Sequence, residues 1–525
     1  MTDNDGPQED LYPLSRPSHR AIARAPHIVT PPAIDRDSDV VGSFLSDAAH
    51  VPGGAADGVV FPASVDEIAA VVAAAAHVLP VGAQSSLTGG ATPRGDLVVS
   101  TRRLTSIAEP SGNSVRVGAG VPLAELHRFL AARHLYYPPA PTYDGAFVGG
   151  TIATNAAGPA TFKYGVTRDW VQDITVVLAD GSILDIRRGD VRASDARVFE
   201  IETVGRGTVS VTMPTYRVPT HLPKLSAGYF TAAHVDLIDL FIGSEGTLGI
   251  IAQATLRITR RPLRLVALVT CESEAQALTL STDLAHSSLE VAAIEYIDAN
   301  SLQLLDDATF VRSGVTRPPV PATMILVQVE TETGLDSSLE QFEAIVDRNQ
   351  LAVDPVIAMP DQERTSARLF ELREAVPAAV NARVAAAKAQ VNAGIQKTAG
   401  DFIVPAESID RALALYRDAF ERRSLEYAIW GHVSDGNLHP NLLPRSLDDV
   451  EKGRDALREM ARGVVSLGGA PIAEHGVGRN ALKQMFLREL YGEEGIEQMR
   501  AVKRALDPHD KFASGVLFPA ARSVL

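Results

Sequence analysis

Apolar residues along this chain recur at helical spacing in some stretches and at strand spacing in others, and the order of the two divides it. Over residues 64–78 they fall at helical spacing behind a Ser64-x-x-Glu67 capping box, which predicts a helix. Residues 122–135 form a second amphipathic stretch, opened by Pro122 as suits a first helical turn. Short β-like runs lie at 96–100 and 114–118, a hairpin closed by Asp180-Gly181 covers 170–185, and a strictly alternating strand lies at 254–259. From about residue 262 strands expected at 265–270, 291–296 and 324–330 are interleaved with helices at 273–287 and 337–349. That alternation predicts an α+β unit over an antiparallel sheet. Residues 361–388 are helical in pattern but contain Pro377, which removes a hydrogen bond and clashes with the carbonyl of Arg373; a kink or restart is expected there, opening Arg373 to a cavity. A helix at 411–423, a strand at 426–430 and a helix at 447–467 that stops at Gly468-Gly469 complete the pattern.

Length and composition narrow the class. At 525 residues the chain is too long for one ordinary core, so two or more domains are expected. The boundaries read as a flexible leader over 1–34, a first domain over 35–262, a cap over 263–500, and a tail over 501–525 that returns to the first domain. The leader's alternative is an arm docked on a partner domain or subunit. A net charge of −15 argues against nucleic acid and against simple docking on an anionic membrane. The single cysteine, Cys271, excludes an intrachain disulfide and a multi-cysteine iron–sulfur centre and fits a reducing compartment, hence the cytoplasm or the periphery of a membrane. No segment approaches the ~18–20 apolar residues of a membrane-spanning helix; the alanine-rich run 68–79 is too short and stops at Pro80.

Two stretches carry the candidate chemistry. Residues 431–441 read GHVSDGNLHPN and residues 473–479 read AEHGVGR. His432, His439 and Glu474 offer two imidazoles and a carboxylate, which suit a divalent metal such as Zn²⁺ with one position open. His475 would then be a base beside it, since an ordinary imidazole titrates near neutrality. The two histidines are seven apart, an odd number, so the Asp435-Gly436-Asn437 turn must bring them together. The bland alternative is a histidine pair hydrogen-bonded within a hairpin. Upstream, GAQSSLTGG at 82–90 is a small-residue loop after a strand; its amides can converge on a phosphate, although it matches neither the P-loop nor the dinucleotide fingerprint, and a tight turn reads as well.

Taken in order, GAQSSLTGG, Pro141-Thr142, GGTIATNAAG, KYGVTRD, IGSEGTLGI and the GHVSDGNLH…EHG pair resemble the FAD-linked D-2-hydroxy-acid dehydrogenases, which include D-lactate, D-2-hydroxyglutarate and glycolate dehydrogenases. The resemblance spans roughly 61–259 and 373–478. It implies a vanillyl-alcohol-oxidase-type (PCMH-type) FAD-binding domain with an α+β cap, and hydride transfer from a small D-2-hydroxy acid to FAD. By that resemblance Gly82, Ala83, Gln84, Ser85, Ser86 and Leu87 would cradle the FAD pyrophosphate. Pro141, Thr142, Gly149, Gly150, Ile152, Ala153, Thr154, Asn155 and Gly158 would line the ribityl chain and flavin. Glu245, Gly246 and Ile250 would close over the cofactor, and Asn437 is counted with them. The family's second glycine and threonine are Gln84 and Ser85 here; a negative φ at 84 leaves backbone contacts intact, whereas a positive one strains or reshapes the loop. No His or Cys stands in 82–90 where some relatives attach flavin, so the FAD is expected to be non-covalent. Arg373, within Leu372-Arg373-Glu374, would grip the substrate carboxylate, and Lys397 would be a second contact. An electron acceptor such as a quinone, a cytochrome or an electron-transfer flavoprotein is implied, and a homodimer is compatible. The alternatives are an alkyl-dihydroxyacetonephosphate synthase-like flavoenzyme without net redox change and a non-catalytic FAD module.

Overall fold

The computed structural model describes residues 18–519 apart from 140, 319–321 and 332–333. Its first half is built around two main sheets, flanked by a three-stranded sheet of Arg20–Ile22, Val198–Thr203 and Gly207–Thr212 and by the strand pair Leu135–Tyr136 and Thr259–Arg260. Ala55–Val60, Arg94–Ser100 and Val78–Val81 form a parallel sheet in that order, with helix Val65–Ala74 as the crossover. Ser64 caps that helix by accepting from the Glu67 N–H, and the Glu67 carboxylate accepts from the Ala63 N–H, so the expected helix start is in place. Ser114–Gly118, Ile250–Arg257, Val171–Val177 and Ile183–Arg187 form an antiparallel sheet beside it, which includes the expected hairpin.

The second half is a seven-stranded antiparallel sheet ordered Val356–Ala358, Leu263–Cys271, Thr323–Thr331, Val291–Ile297, Tyr427–His432, Asn437–Leu442, Phe402–Ile403. Alternate residues of a strand point to opposite faces, and both faces are covered. Val266 and Leu268 pack under helix Glu363–Gln390 through Leu369, Leu372, Val376 and Val380. Leu265, Ala267 and Val269 pack under helices Glu274–Ala285 and Leu335–Arg348. A sheet dry on both sides explains why its strands read as apolar runs. No described helix is long and apolar enough to cross a membrane.

Three expectations change. Helix Glu363–Gln390 is assigned as one element through Pro377, so the restart at Arg373 does not occur; apolar packing on one side outweighs the lost hydrogen bond. Arg373 is buried, with Nε and Nη1 donating to Glu295 and Glu374. Within the expected leader, Arg20–Ile22 pairs in parallel with Val198–Thr203, so from residue 18 onward this is a docked arm; residues 1–17 lie outside the described residues. The expected boundary at 500 falls inside helix Ala481–Leu506, after which Phe512 bridges to Val78 of the first half.

Candidate active site

Strand Val78–Val81 ends at Gly82, and the loop after it opens on a cleft shared with helix Val148–Ala153 and the turn before strand Ile250–Arg257. The cleft has an empty volume of about 1440 Å³ counted out to its mouth. Gly82, Ala83, Gln84, Ser85, Ser86 and Leu87 line it, together with Pro141, Thr142, Gly149, Gly150, Ala153, Thr154, Glu245, Gly246 and Ile250. Among the described residues, the backbone N–H groups of 83–87 donate to no protein acceptor. A row of unfilled amides on one loop is what a pyrophosphate accepts from. A Cβ added at Gly149 would sit 2.6 Å from the Ala119 Cβ, whereas one added at Gly150 would meet nothing within 4 Å. The first glycine lets the helix seat closely, and the second keeps the cleft open. These features fit FAD.

Backbone strain gathers here. Gln84, Asn155 and Glu245 have φ of 57°, 47° and 52°, a region that costs a non-glycine residue about 1–2 kcal/mol. The loop at position 84 is therefore the strained alternative, and its side chain compensates: Gln84 Nε2 donates to the carbonyls of Ser43 and Ser46, both at 3.0 Å. Four residues expected at the cofactor do not line the cleft. Ile152 is core. Asn155 is buried and accepts from the Arg168 N–H at 2.9 Å. The Gly158 N–H donates to Thr161 Oγ1. Asn437 Nδ2 donates to the Phe402 carbonyl and to Asp401 Oδ1.

The histidine turn resolves the odd spacing. His432 pairs with Asn437, and Trp430 pairs with His439, across strands Tyr427–His432 and Asn437–Leu442. Directly opposed residues share a face, so His432 and His439 stand diagonally on the same one. Gly436 closes the turn at φ 77°, where a Cβ would lie 2.0 Å from the Val404 carbonyl. Glu474 arrives from the 473–479 loop, with Oε2 at 3.5 Å from His432 Nε2 and Oε1 at 3.4 Å from His439 Nε2. His475 Nε2 is 3.3 Å from the same Oε1. Glu474 and His475 also line the flavin cleft, so the cluster and the cleft adjoin.

Several residues that the sequence reading missed hold this cluster. Glu295, buried on strand Val291–Ile297, lies directly opposite His432 and is hydrogen-bonded to its Nδ1. Arg373 Nε donates to the other Glu295 oxygen at 2.6 Å, and Arg373 Nη1 donates to Glu374 at 3.1 Å. Burial alone would raise the Glu295 carboxyl, but the Arg373 and His432 charges hold it down at about 2. Lys224 reaches in from the first half, wholly buried, with Nζ at 3.0 Å from both Glu474 Oε2 and Asp435 Oδ2. Asp401 accepts from Lys483 Nζ and from the His475 N–H, each at 3.0 Å, and lies 3.5 Å from His475 Nδ1. Glu295 had a readable signal, a lone carboxylate in an otherwise apolar strand; Lys224 and Asp401 had none. Lys397 is an exposed residue whose ammonium is enclosed enough for desolvation to lower its pKa; it has no ion-pair partner among the described residues and does not line the cleft.

The donor chemistry fits a metal. Burial pushes His439 down to about 4, which leaves a neutral imidazole with a free lone pair. His432 spends Nδ1 on a carboxylate, the arrangement that commonly backs a metal-bound histidine, and turns Nε2 to Glu474. The Glu474 carboxylate bridges the two imidazoles, one oxygen at 3.5 Å from His432 Nε2 and the other at 3.4 Å from His439 Nε2. Among the described residues the group whose ligand atoms all lie within 4.8 Å of one another is Asp401, His439, Glu474 and His475, which leaves the expected ligand His432 outside and brings the expected base His475 in. Asp401 is already engaged by Lys483 and two backbone amides, which favours the set with His432.

Comparison with known proteins agrees with this geometry. Residues 56–187 match the FAD binding domain, and residues 261–517 match the C-terminal domain of FAD linked oxidases. The chain is 28% identical to the glycolate oxidase subunit GlcD of Bacillus subtilis (strain 168), over 88% of this chain and 89% of that one. It is 29% identical to a D-2-hydroxyglutarate dehydrogenase of Xanthomonas citri pv. viticola, again over 88% and 89%. A solved alkyldihydroxyacetonephosphate synthase shares the fold, with a TM-score of 0.61 at 14% identity over 96% of this chain and 89% of that one. The first match takes in the 82–87 loop of the cleft and the second the histidine cluster, so the chain belongs to the FAD-linked oxidases, with a glycolate oxidase subunit and a D-2-hydroxyglutarate dehydrogenase among its relatives.

Proposed function

We propose that this protein oxidises a D-2-hydroxy acid to the 2-oxo acid. The observation that carries the reading is the shared wall: Glu474 and His475 line the flavin cleft while the Glu474 carboxylate also faces His432 and His439. Bound FAD supplies a two-electron acceptor there, and a divalent metal on His432, His439 and Glu474 supplies Lewis acidity toward the hydroxyl oxygen. His475 takes the hydroxyl proton through Nε2, with Asp401 beside Nδ1 to orient the ring. Arg373 receives the substrate carboxylate on its Nη2, the guanidinium nitrogen with no protein hydrogen bond among the described residues. Lys224 keeps Glu474 turned to the histidines.

The synthase likeness is one of fold alone and does not favour chemistry without net redox change. The test is anaerobic bleaching of the bound flavin by a panel of D- and L-2-hydroxy acids, followed by reoxidation with quinones, cytochrome c, an electron-transfer flavoprotein or dioxygen. Bleaching by at least one D-acid is expected; a flavin that no 2-hydroxy acid reduces would overturn the reading.

A further inference from the structure

We infer that Glu295 is a positioning residue shared by the metal ligand His432 and the carboxylate clamp Arg373, so that both are set by one side chain. The inference rests on the reading of the site proposed above. Glu295 is buried in the cap sheet directly opposite His432. One oxygen holds His432 Nδ1, and the other accepts from Arg373 Nε at 2.6 Å. Each oxygen thus fixes one neighbour. The first keeps the ring proton on Nδ1, so that a metal displacing the other proton would meet Nε2 on the Glu474 side. The second fixes the plane of the guanidinium, which decides where Nη2 points.

The shape of the site makes the sharing hard to replace. Helix Glu363–Gln390 delivers Arg373 from above the sheet, and strand Tyr427–His432 delivers His432 within it. The two come from elements with no common backbone frame, and Glu295 bonds to both. A carboxylate can accept from both donors at once. A carboxamide has one acceptor oxygen and no charge, so in Glu295→Gln one neighbour loses its acceptor and the other keeps only a neutral one in place of a charged one; both are weakened.

The test compares wild type, Glu295→Gln and Glu295→Asp as FAD-loaded proteins. Metal affinity is read by competition with a chelator, using Zn²⁺ alone. Carboxylate binding is read from the perturbation of flavin absorbance by pyruvate and 2-oxoglutarate. In Glu295→Gln metal affinity should fall about 10–100-fold and binding of the 2-oxo acid that perturbs the wild type should weaken about tenfold or more, with FAD content unchanged. Glu295→Asp, which keeps the charge on a shorter arm, should recover part of both. Unchanged metal and 2-oxo-acid binding in Glu295→Gln overturns the inference, and so does a loss confined to one of the two. A wild type that takes up no zinc overturns the metal reading of the site instead. The 2-oxo-acid arm then decides: weakening in both Glu295→Gln and His432→Ala supports the shared support, and weakening in neither or only one overturns it.

Discussion

The flavin cleft and the histidine cluster share Glu474 and His475 but are built in different ways. The cleft is made of backbone: unfilled amides at 83–87, glycines seated against Ala119 or opened to space, and three non-glycine residues held at positive φ in or beside it. The cluster is made of buried charges: Glu295, Glu474, Asp401 and Asp435 set against Arg373, Lys224 and Lys483. A backbone site tolerates side-chain change as long as no bulk is added. A charged site fails when one partner is removed, because the other is left buried and unpaired.

That contrast can be broken from the cluster side first. Glu474→Ala should abolish metal binding and turnover together, and by removing one of the two carboxylates that hold Lys224 it should lower stability by about 1–3 kcal/mol. Elemental analysis and a denaturant melt check it, and retained FAD would show that the cleft is independent. His475→Ala should keep both metal and FAD yet slow flavin reduction by about 10²–10⁴, read by stopped flow. A loss of metal in that variant would make His475 a ligand instead.

The junction between the two regions carries a pH dependence. Burial raises the Glu245 carboxyl to about 7, although it accepts from the Val477 and Gly478 N–H groups of the Glu474 loop. An acid whose folded pKa is raised binds its proton more tightly when folded. Its contribution is fully present below its ordinary pKa of 4.5 and is lost as pH rises through about 7. Wild-type protein should lose up to roughly 3 kcal/mol between pH 5 and 8 that Glu245→Gln does not lose. Denaturant melts of the two proteins across that range test it; parallel curves would remove Glu245 as the cause.

From the cleft side, Gly149→Ala places a methyl 2.6 Å from the Ala119 Cβ, so it should cost about 1–3 kcal/mol and release FAD while metal stays bound. The smallest expected effect sharpens the border. Arg373→Lys keeps the charge but loses the fork, so KM should rise about tenfold with FAD content unchanged. Unchanged KM for every acid that turns over would remove Arg373 from the substrate.

By itself the sequence determined the elements. Hydrophobic spacing predicted the hairpin at 170–185, the cap strands and the long helix over 361–388, because period is a local property of neighbouring residues. The small-residue loop at 82–90 read as well as a tight turn, and it pointed to the cofactor only through the order of motifs that resembles the flavoprotein family. The sequence also predicted that a turn must bring His432 to His439. Tertiary structure decided the rest. Whether Pro377 breaks its helix depended on the sheet packed beneath it, and the docking of Arg20–Ile22 depended on a strand nearly 180 residues away. Lys224, Glu295 and Asp401 reach the cluster from three distant segments, and nothing in their own neighbourhoods says which carboxylate or imidazole they will meet. A buried charge is placed by its partner, and partners are chosen only when the chain has folded.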